Sequence, residues 1–352
     1  MSEPSPASTA STAASRATIV DVAKAAGVSR QTVSNALNRP DRVAAPTLER
    51  VLDAVERLRF TPMVSAQQLR RQRASAAGFE VNPSHQGRLG HILDEFLVEL
   101  TVDAPRHGIH VVAFAPDPTD VVAGYRQTLA SGLVDGFVLA DTRHGDPRPD
   151  WLLAHEVPFV SFGRVWDRPE LTRWVDVDGR AGLRAAVAHL ADRGYVHVGF
   201  LGWPAGSPVG DDRRAGWVDG LAAAGLTTSP DEAEEAVQDL DEATGAAGRL
   251  LDRLGAVRRP AGSTAVVCAS DLLALGALRA VRALGLEPGR DVGVVGFDDT
   301  DVAAAMQLTS VHQPVADAAR AAWRMLLAPA GTPPVAQLLE PTLTVRASST
   351  PG

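Results

Sequence analysis

A single glycine, Gly27, stands between two short runs of helical periodicity, and this arrangement restricts the amino-terminal part of the chain more than any other feature. Ile19, Val22, Ala23 and Ala26 recur at helical spacing, and Gly27 then supplies the backbone freedom of a tight turn. Ser29 is placed to cap a second helix, whose apolar side is Val33, Ala36 and Leu37. Arg30, Gln31, Ser34 and Asn35 are left facing outward. Arginine pairs bidentately with guanine, and glutamine or asparagine with adenine, so these side chains suit base reading by the second helix of a helix-turn-helix. An amphipathic hairpin with a solvated polar face is the competing reading. Arg30 suits a base and a phosphate equally.

A third helix is expected after Pro46, with Leu48, Val51, Leu52, Val55 and Leu58 on one face. Phe60-Thr61-Pro62 ends it, because the residue before proline is pushed out of the helical region. A basic stretch, residues 64–73, follows with Leu69 near its middle. The formal net charge of the 352 residues is −8, a poor fit to nucleic acid if spread evenly. Residues 1–75, however, hold 11 Lys+Arg against 6 Asp+Glu, net +5, which leaves −13 in the other 277. A basic head on an acidic body is what a phosphate-contacting module joined to a sensing domain requires.

The pattern Asp21-Val22-Ala23, Ala26-Gly27-Val28-Ser29, Thr32-Val33-Ser34, followed by Pro62, Ala66 and Leu69, resembles the head and hinge of the lactose-repressor (LacI/GalR) family. Asn35 and Met63 stand where many members carry arginine and asparagine. The resemblance implies a DNA-binding head over 17–62 and a hinge over 63–75. It implies DNA contacts by Thr18, Ser29, Arg30, Gln31, Thr32, Ser34, Asn35 and Asn38, and by Ala66, Gln67 and Leu69 of the hinge. The hinge is too short to be a stable helix alone and is expected to fold on DNA, with Leu69 as a minor-groove wedge. A plain linker with Leu69 packed on its own core is the alternative.

Residues 1–16 are nearly all Ser, Ala, Thr and Pro and are expected to be disordered. After the hinge, strand-like and helix-like segments alternate as in a doubly wound α/β fold. Gly78–Val81, His110–Phe114, Gly136–Leu139, Pro158–Ser161, His197–Leu201, Ala265–Cys268, Asp291–Phe297 and Thr342–Arg346 read as strands. Helices are expected over 92–104, 121–130, 181–193, 210–224, 244–254 and 271–284. Ala269-Ser270-Asp271 and Val294-Val295-Gly296-Phe297-Asp298-Asp299 extend the family resemblance to a periplasmic-binding-protein-like core over 76–346. It implies a first lobe of about 76–163 and 312–335 and a second of about 174–299 and 342–346. The crossings would fall near 163–174, 299–312 and 335–342.

In parallel sheets, ligands gather at the carboxyl ends of strands, so polar residues just past strand runs are the candidates. Arg164, Asp271 and Asp298 qualify, and Arg213 with Trp217 four residues on would share a helix face. Charged forks bind hydroxyl pairs and an indole covers the apolar face of a sugar ring. The resemblance places these residues, with Gln313, in an effector cleft; surface ion pairs and helix caps are the plainer reading of each. The crowded histidines His85, His91, His107 and His110 lack metal-ligand spacing, and no phosphate loop or nucleophilic triad stands in its required context. No cofactor, metal or enzymatic activity is expected. The lone Cys268 allows no intramolecular disulfide and fits a reducing compartment. No signal peptide or long apolar run is evident, so a cytoplasmic location is expected. These readings converge on a homodimeric regulator, a repressor, that binds an approximately palindromic operator and senses a sugar or related metabolite. The rivals are a transport receptor, an enzyme, and a regulator whose cleft takes a non-sugar ligand or none.

Overall fold

The computed structural model describes residues 17–58, 60, 76–81, 91–227, 229–329, 331–333 and 335–350. The proposed hinge contacts Ala66, Gln67 and Leu69, the amino-terminal extension 1–16 and the segment 82–87 lie outside the described residues. Residues 1–73 and 74–352 form two separate compact units.

The first unit holds α1 (Ile19–Ala26), α2 (Arg30–Asn38) and α3 (Ala45–Arg57). Thr18 and Asp21 cap α1 reciprocally: the Asp21 carboxylate accepts from the Thr18 N–H at 2.8 Å, and Thr18 Oγ1 accepts from the Asp21 N–H. Gly27 ends α1 in the left-handed region, φ 65°, as the turn demands. The Ser29 hydroxyl then accepts from the Thr32 N–H at 3.0 Å and starts α2. Val22, Ala26, Val33, Ala36, Val51 and Ala54 form the core, with Leu48, Val55 and Leu58 packed against it. Leu52 does not join them. It is 48% exposed, because the close approach of α1 to α3 is filled by Val51 and Ala54 instead.

The second unit contains two six-stranded sheets. The first lobe's sheet runs β11-β5-β4-β3-β1-β2, all parallel, from β1 (Ala76–Glu80), β2 (His110–Phe114), β3 (Gly136–Leu139), β4 (Phe159–Phe162), β5 (Trp174–Val177) and β11 (Gln337–Leu339). Its helices are α4 (His91–Asp103), α5 (Val121–Ala130), α6 (Pro147–Ala154) and α12 (Val315–Leu326). The second sheet runs β12-β10-β9-β8-β6-β7. It is built from β6 (His197–Gly202), β7 (Ala233–Glu235), β8 (Thr264–Cys268), β9 (Val292–Asp298), β10 (Thr309–His312) and an antiparallel edge strand, β12 (Thr342–Thr344). With it go α7 (Gly179–Ala191), α8 (Pro208–Ala223), α9 (Leu240–Arg253), α10 (Asp271–Ala283) and α11 (Asp301–Ala305). Central strands such as β8 are apolar throughout and wholly buried, as a sheet covered on both faces requires.

The lobes divide later along the chain than expected. Trp174–Val177 pairs with β4 in the first sheet, so the first crossing falls at Asp178 and not within 163–174. An eleven-residue loop, with no helix to mark it, brings the chain back alongside β4. Likewise β10 belongs to the second sheet, which moves the second crossing from 299–312 to residues 313–314. The third lies at 340–341, between β11 and β12.

Candidate functional site

On the head, α2 exposes Arg30 and Gln31 at its amino-terminal end. Gln31 Nε2 donates to Asn35 Oδ1 at 3.1 Å, tying two of the expected base-reading side chains together one turn apart. Thr18, Ser29 and Thr32 lie at helix starts, the first two as caps. Ser34 and Asn35 are half-buried, and Asn38 ends the helix.

In the core, the carboxyl ends of both sheets line one cavity of about 510 Å³. Close packing of α7 on α8 sets its second-lobe wall: a Cβ at Gly216 would come within 2.3 Å of the Arg180 carbonyl oxygen, so only glycine fits there. With α8 seated this closely, Arg213 reaches the cavity. It is 6% exposed; its Nη1 donates to the Ala269 carbonyl and lies 3.9 Å from Asp298 Oδ1. The guanidinium carbon sits 3.7 Å from the Phe297 ring centroid and 5.2 Å from that of Trp203. Its Nε has no hydrogen-bond partner among the described residues. Burial lowers the Arg213 pKa, and the carboxylates of Asp298 and Asp176 oppose that shift.

Asp298 closes β9 with φ 122°, in the region that favours glycine, and Asp299 follows at φ 57°. Gln313 Nε2 donates to Asp298 Oδ1 at 2.8 Å. Burial pushes the Asp298 carboxyl up to about 7, with Arg213 pulling it down and Asp271 pushing further up. Trp203 Nε1 donates to Gln238 Oε1 at 2.7 Å, which fixes an indole at the cavity wall.

Arg164 joins the two lobes. Its Nε donates to Asp176 of the first lobe at 2.7 Å and its Nη2 to Asp212 of α8 at 2.8 Å. The guanidinium also stacks 4.6 Å from the Trp166 ring, whose Nε1 is buried with no partner among the described residues. Although burial works against it, the two carboxylates raise the Arg164 pKa; burial raises that of Asp176. Deeper in the first lobe, Arg148 is paired with Asp146 and Glu80, each at 2.7 Å.

The structure therefore brings Arg164, Arg213, Asp298 and Gln313 to one cavity, and two expectations need correction. Trp217 does share the buried face of α8 with Arg213, but it lies one turn further along and misses the cavity: its Nε1 donates to the Val198 carbonyl at 2.9 Å and its ring stacks on Phe200 inside the second-lobe core. Asp271 is not a wall residue either. It is 2% exposed and its oxygens accept from Ser310 Oγ at 2.5 Å and the Thr300 N–H at 2.8 Å, bracing the ends of β9 and β10. Sequence reasoning missed Glu80, Trp166, Asp176, Trp203, Asp212 and Gln238. Trp203 directly follows β6, so the strand-end rule applied evenly would have found it. Among the described residues no cluster of His, Cys, Asp and Glu could hold a metal, and no helix is long and apolar enough to cross a membrane. Burial raises the pKa of the Cys268 thiol, which suits an inert core residue.

Residues 18–63 match the family described as bacterial regulatory proteins, lacI family, and residues 187–349 match the periplasmic binding protein-like domain. Over 280 residues the chain is 35% identical to the HTH-type transcriptional regulator AglR of Rhizobium meliloti, covering 79% of this chain and 76% of that one. The regulator CelR of Thermobifida fusca is 32% identical over 351 residues, 95% of this chain and 98% of its own. The chain belongs to the LacI family. Among solved structures, the lac repressor dimer bound to operator and the anti-inducer ONPF superposes with a TM-score of 0.80 at 25% identity, covering 96% of this chain and 100% of that one. A transcriptional regulator CelR–cellobiose complex gives 0.71 at 30% identity, with coverage of 95% and 100%. The two sheets with their three crossings are thus the effector-domain fold of LacI-type DNA-binding transcription regulators, and the family is one of regulators and not of enzymes.

Proposed function

We propose that this LacI-family chain acts in the cytoplasm as a homodimeric repressor of an approximately palindromic operator, released or engaged by a neutral, hydroxyl-rich small molecule bound between its lobes. The observation that carries the ligand class is charge balance. Each of the three arginines that line the cavity most deeply already faces a carboxylate: Arg213 with Asp298, Arg164 with Asp176 and Asp212, Arg148 with Glu80 and Asp146. A phosphate would meet a carboxylate beside each of these arginines. A sugar hydroxyl both donates and accepts, and fits between the members of such a pair. Trp203 and Trp166 supply planes for the apolar face of the ring. Arg164, Arg213, Asp298 and Gln313 are the contacts we assign, and cellobiose in the CelR complex is a ligand of the same class.

Thermal-shift and calorimetric titration of the full chain with neutral mono- and disaccharides and their phosphorylated counterparts tests this reading. A neutral sugar should stabilise the protein, by about 2.7 kcal/mol at a hundred times its Kd. Tighter binding of a phosphorylated counterpart would overturn it. For the head, Gln31→Ala should relax preference at one position of each half-site at a cost of about 1–3 kcal/mol there, read from binding to a library of operator variants. Uniform weakening across the library would remove Gln31 from base reading.

A further inference from the structure

The cavity has a second polar pole that the family pattern and the strand-end rule both pass over. Glu80 is the last residue of β1, a carboxylate at the end of the otherwise apolar run Ala76-Ala77-Gly78-Phe79. It lines the cavity, yet is only 8% exposed. Its two oxygens are treated unequally. Oε2 accepts from both Arg148 Nη1 and Tyr125 Oη, each at 2.7 Å. Oε1 accepts from no donor among the described residues, although a carboxylate oxygen has room for two. Oε1 is not among the enclosed side-chain atoms, so it opens onto the cavity, where a donor from a bound molecule can reach it.

The surroundings rule out free movement of this group. Arg148 is itself held by Asp146 and by the carbonyls of Ala140 and Asp141, at the end of β3. Tyr125 is 1% exposed and packs between Phe114 and Phe137. The carboxylate is therefore clamped on one oxygen by a rigid scaffold while the other remains to be satisfied. Nearby the cavity wall is apolar, from Ile92, Leu93 and Phe162.

The geometry points to Glu80 as a ligand-binding, specificity-determining acceptor in the first lobe, which takes a hydrogen bond from one hydroxyl of the effector. This inference rests on the reading of the cleft as a site for a neutral hydroxyl-rich ligand. It places the hydroxyl that Glu80 reads at the first-lobe end of the cavity, with Arg213 and Asp298 at the other. A clamped acceptor demands a donor at that point. It discriminates against an effector that is deoxygenated, methylated or anionic there.

The test uses the full chain, the neutral sugar that binds it best from the panel above, and the set of that sugar's monodeoxy analogues, titrated by calorimetry against wild type and Glu80→Gln. Glutamine keeps a carbonyl for Arg148 and Tyr125 and turns the cavity-facing acceptor into an N–H donor. For wild type, the deoxy analogue lacking the hydroxyl read by Glu80 should bind roughly 10–100-fold more weakly than the parent sugar. Glu80→Gln should bind the parent sugar more weakly and narrow its margin over that one analogue, because a neutral N–H replaces a charged acceptor, while discriminating against the others as wild type does. Tyr125→Phe provides the structural control: it should lower the thermal midpoint of the unliganded protein and leave the deoxy pattern as in wild type. If Glu80→Gln weakens every analogue by the same factor, Glu80 serves only the fold and the inference is overturned. If no neutral sugar binds wild type at all, the reading of the cleft itself has failed, a separate outcome that also removes the basis for this one.

Discussion

Two buried arginines share one cavity, and they are held in opposite ways. Arg148 is saturated: Nε, Nη1 and Nη2 all donate, to two carboxylates and two carbonyls, at 2.7–3.1 Å. Arg213 is as deeply buried, but it has one carbonyl bond, a carboxylate at 3.9 Å, and an Nε with no partner among the described residues. The net effect on charge state follows: the Arg148 pKa is raised by its partners in spite of burial, and that of Arg213 is lowered by it. A protein keeps a buried guanidinium short of partners where another molecule completes the set, and a saturated one where the fold needs a strut.

The comparison is tested most severely by removing the strut. Arg148→Met strands Glu80 and Asp146 as unmatched buried carboxylates and should cost about 3–5 kcal/mol in urea unfolding. Arg213→Met should cost far less stability, since Asp298 can hold a proton near neutrality, but should weaken the best-binding neutral sugar roughly 10–100-fold in calorimetry. Equal unfolding costs for the two variants would erase the distinction.

A third, smaller effect is on pH dependence. The folded Asp298 keeps its proton up to a pKa of about 7, whereas an unfolded aspartate loses it near 4. Between these values the native state binds more protons than the unfolded state, so this residue lowers stability progressively as pH rises from about 4 to 7, with no further loss above. Asp298→Asn should flatten that part of the profile in urea melts taken across the range. An unchanged slope would assign the dependence to other groups. The smallest effect is at the partly exposed bridge. Arg164→Met should change the affinity for the sugar by about 1 kcal/mol or less, and wild type alone should show a salt dependence from this pair.

How far the sequence speaks differs between the same two walls. Strands and helices bounded by turn residues on both sides, such as His110–Phe114, Val121–Ala130 and Gly136–Leu139, have the limits expected. Trp174–Val177 does not read as part of the first sheet because no helix separates it from β4, whereas the helix Val315–Leu326, absent from the expected elements, was legible: Val315, Ala318, Ala319, Ala322, Trp323 and Leu326 recur at helical spacing on its buried side. In the second-lobe wall, Asp298 follows an apolar run and stands out. In the first, Glu80 is a lone charge whose partners, Tyr125 and Arg148, are 45 and 68 residues away, a distance no local pattern spans. Trp217 was misplaced for a different reason: the four-residue spacing puts it on the buried face of α8 with Arg213, but spacing does not tell how far along the helix the carboxyl ends of the strands lie.

The bridge through Arg164 also bears on timing. Its guanidinium bonds both lobes, to Asp176 on one side and Asp212 on the other, so a parting of the lobes there must break the Asp212 contact. Entry and departure of a molecule enclosed between them share that step. Weakening the contact, by added salt or by Asp212→Asn, speeds arrival and release together and leaves the balance between them nearly where it was. If the effector binds there as proposed, its residence time, and with it the speed at which transcription follows a change in supply, is expected to be tunable at Asp212, which is not one of the contacts assigned to the effector.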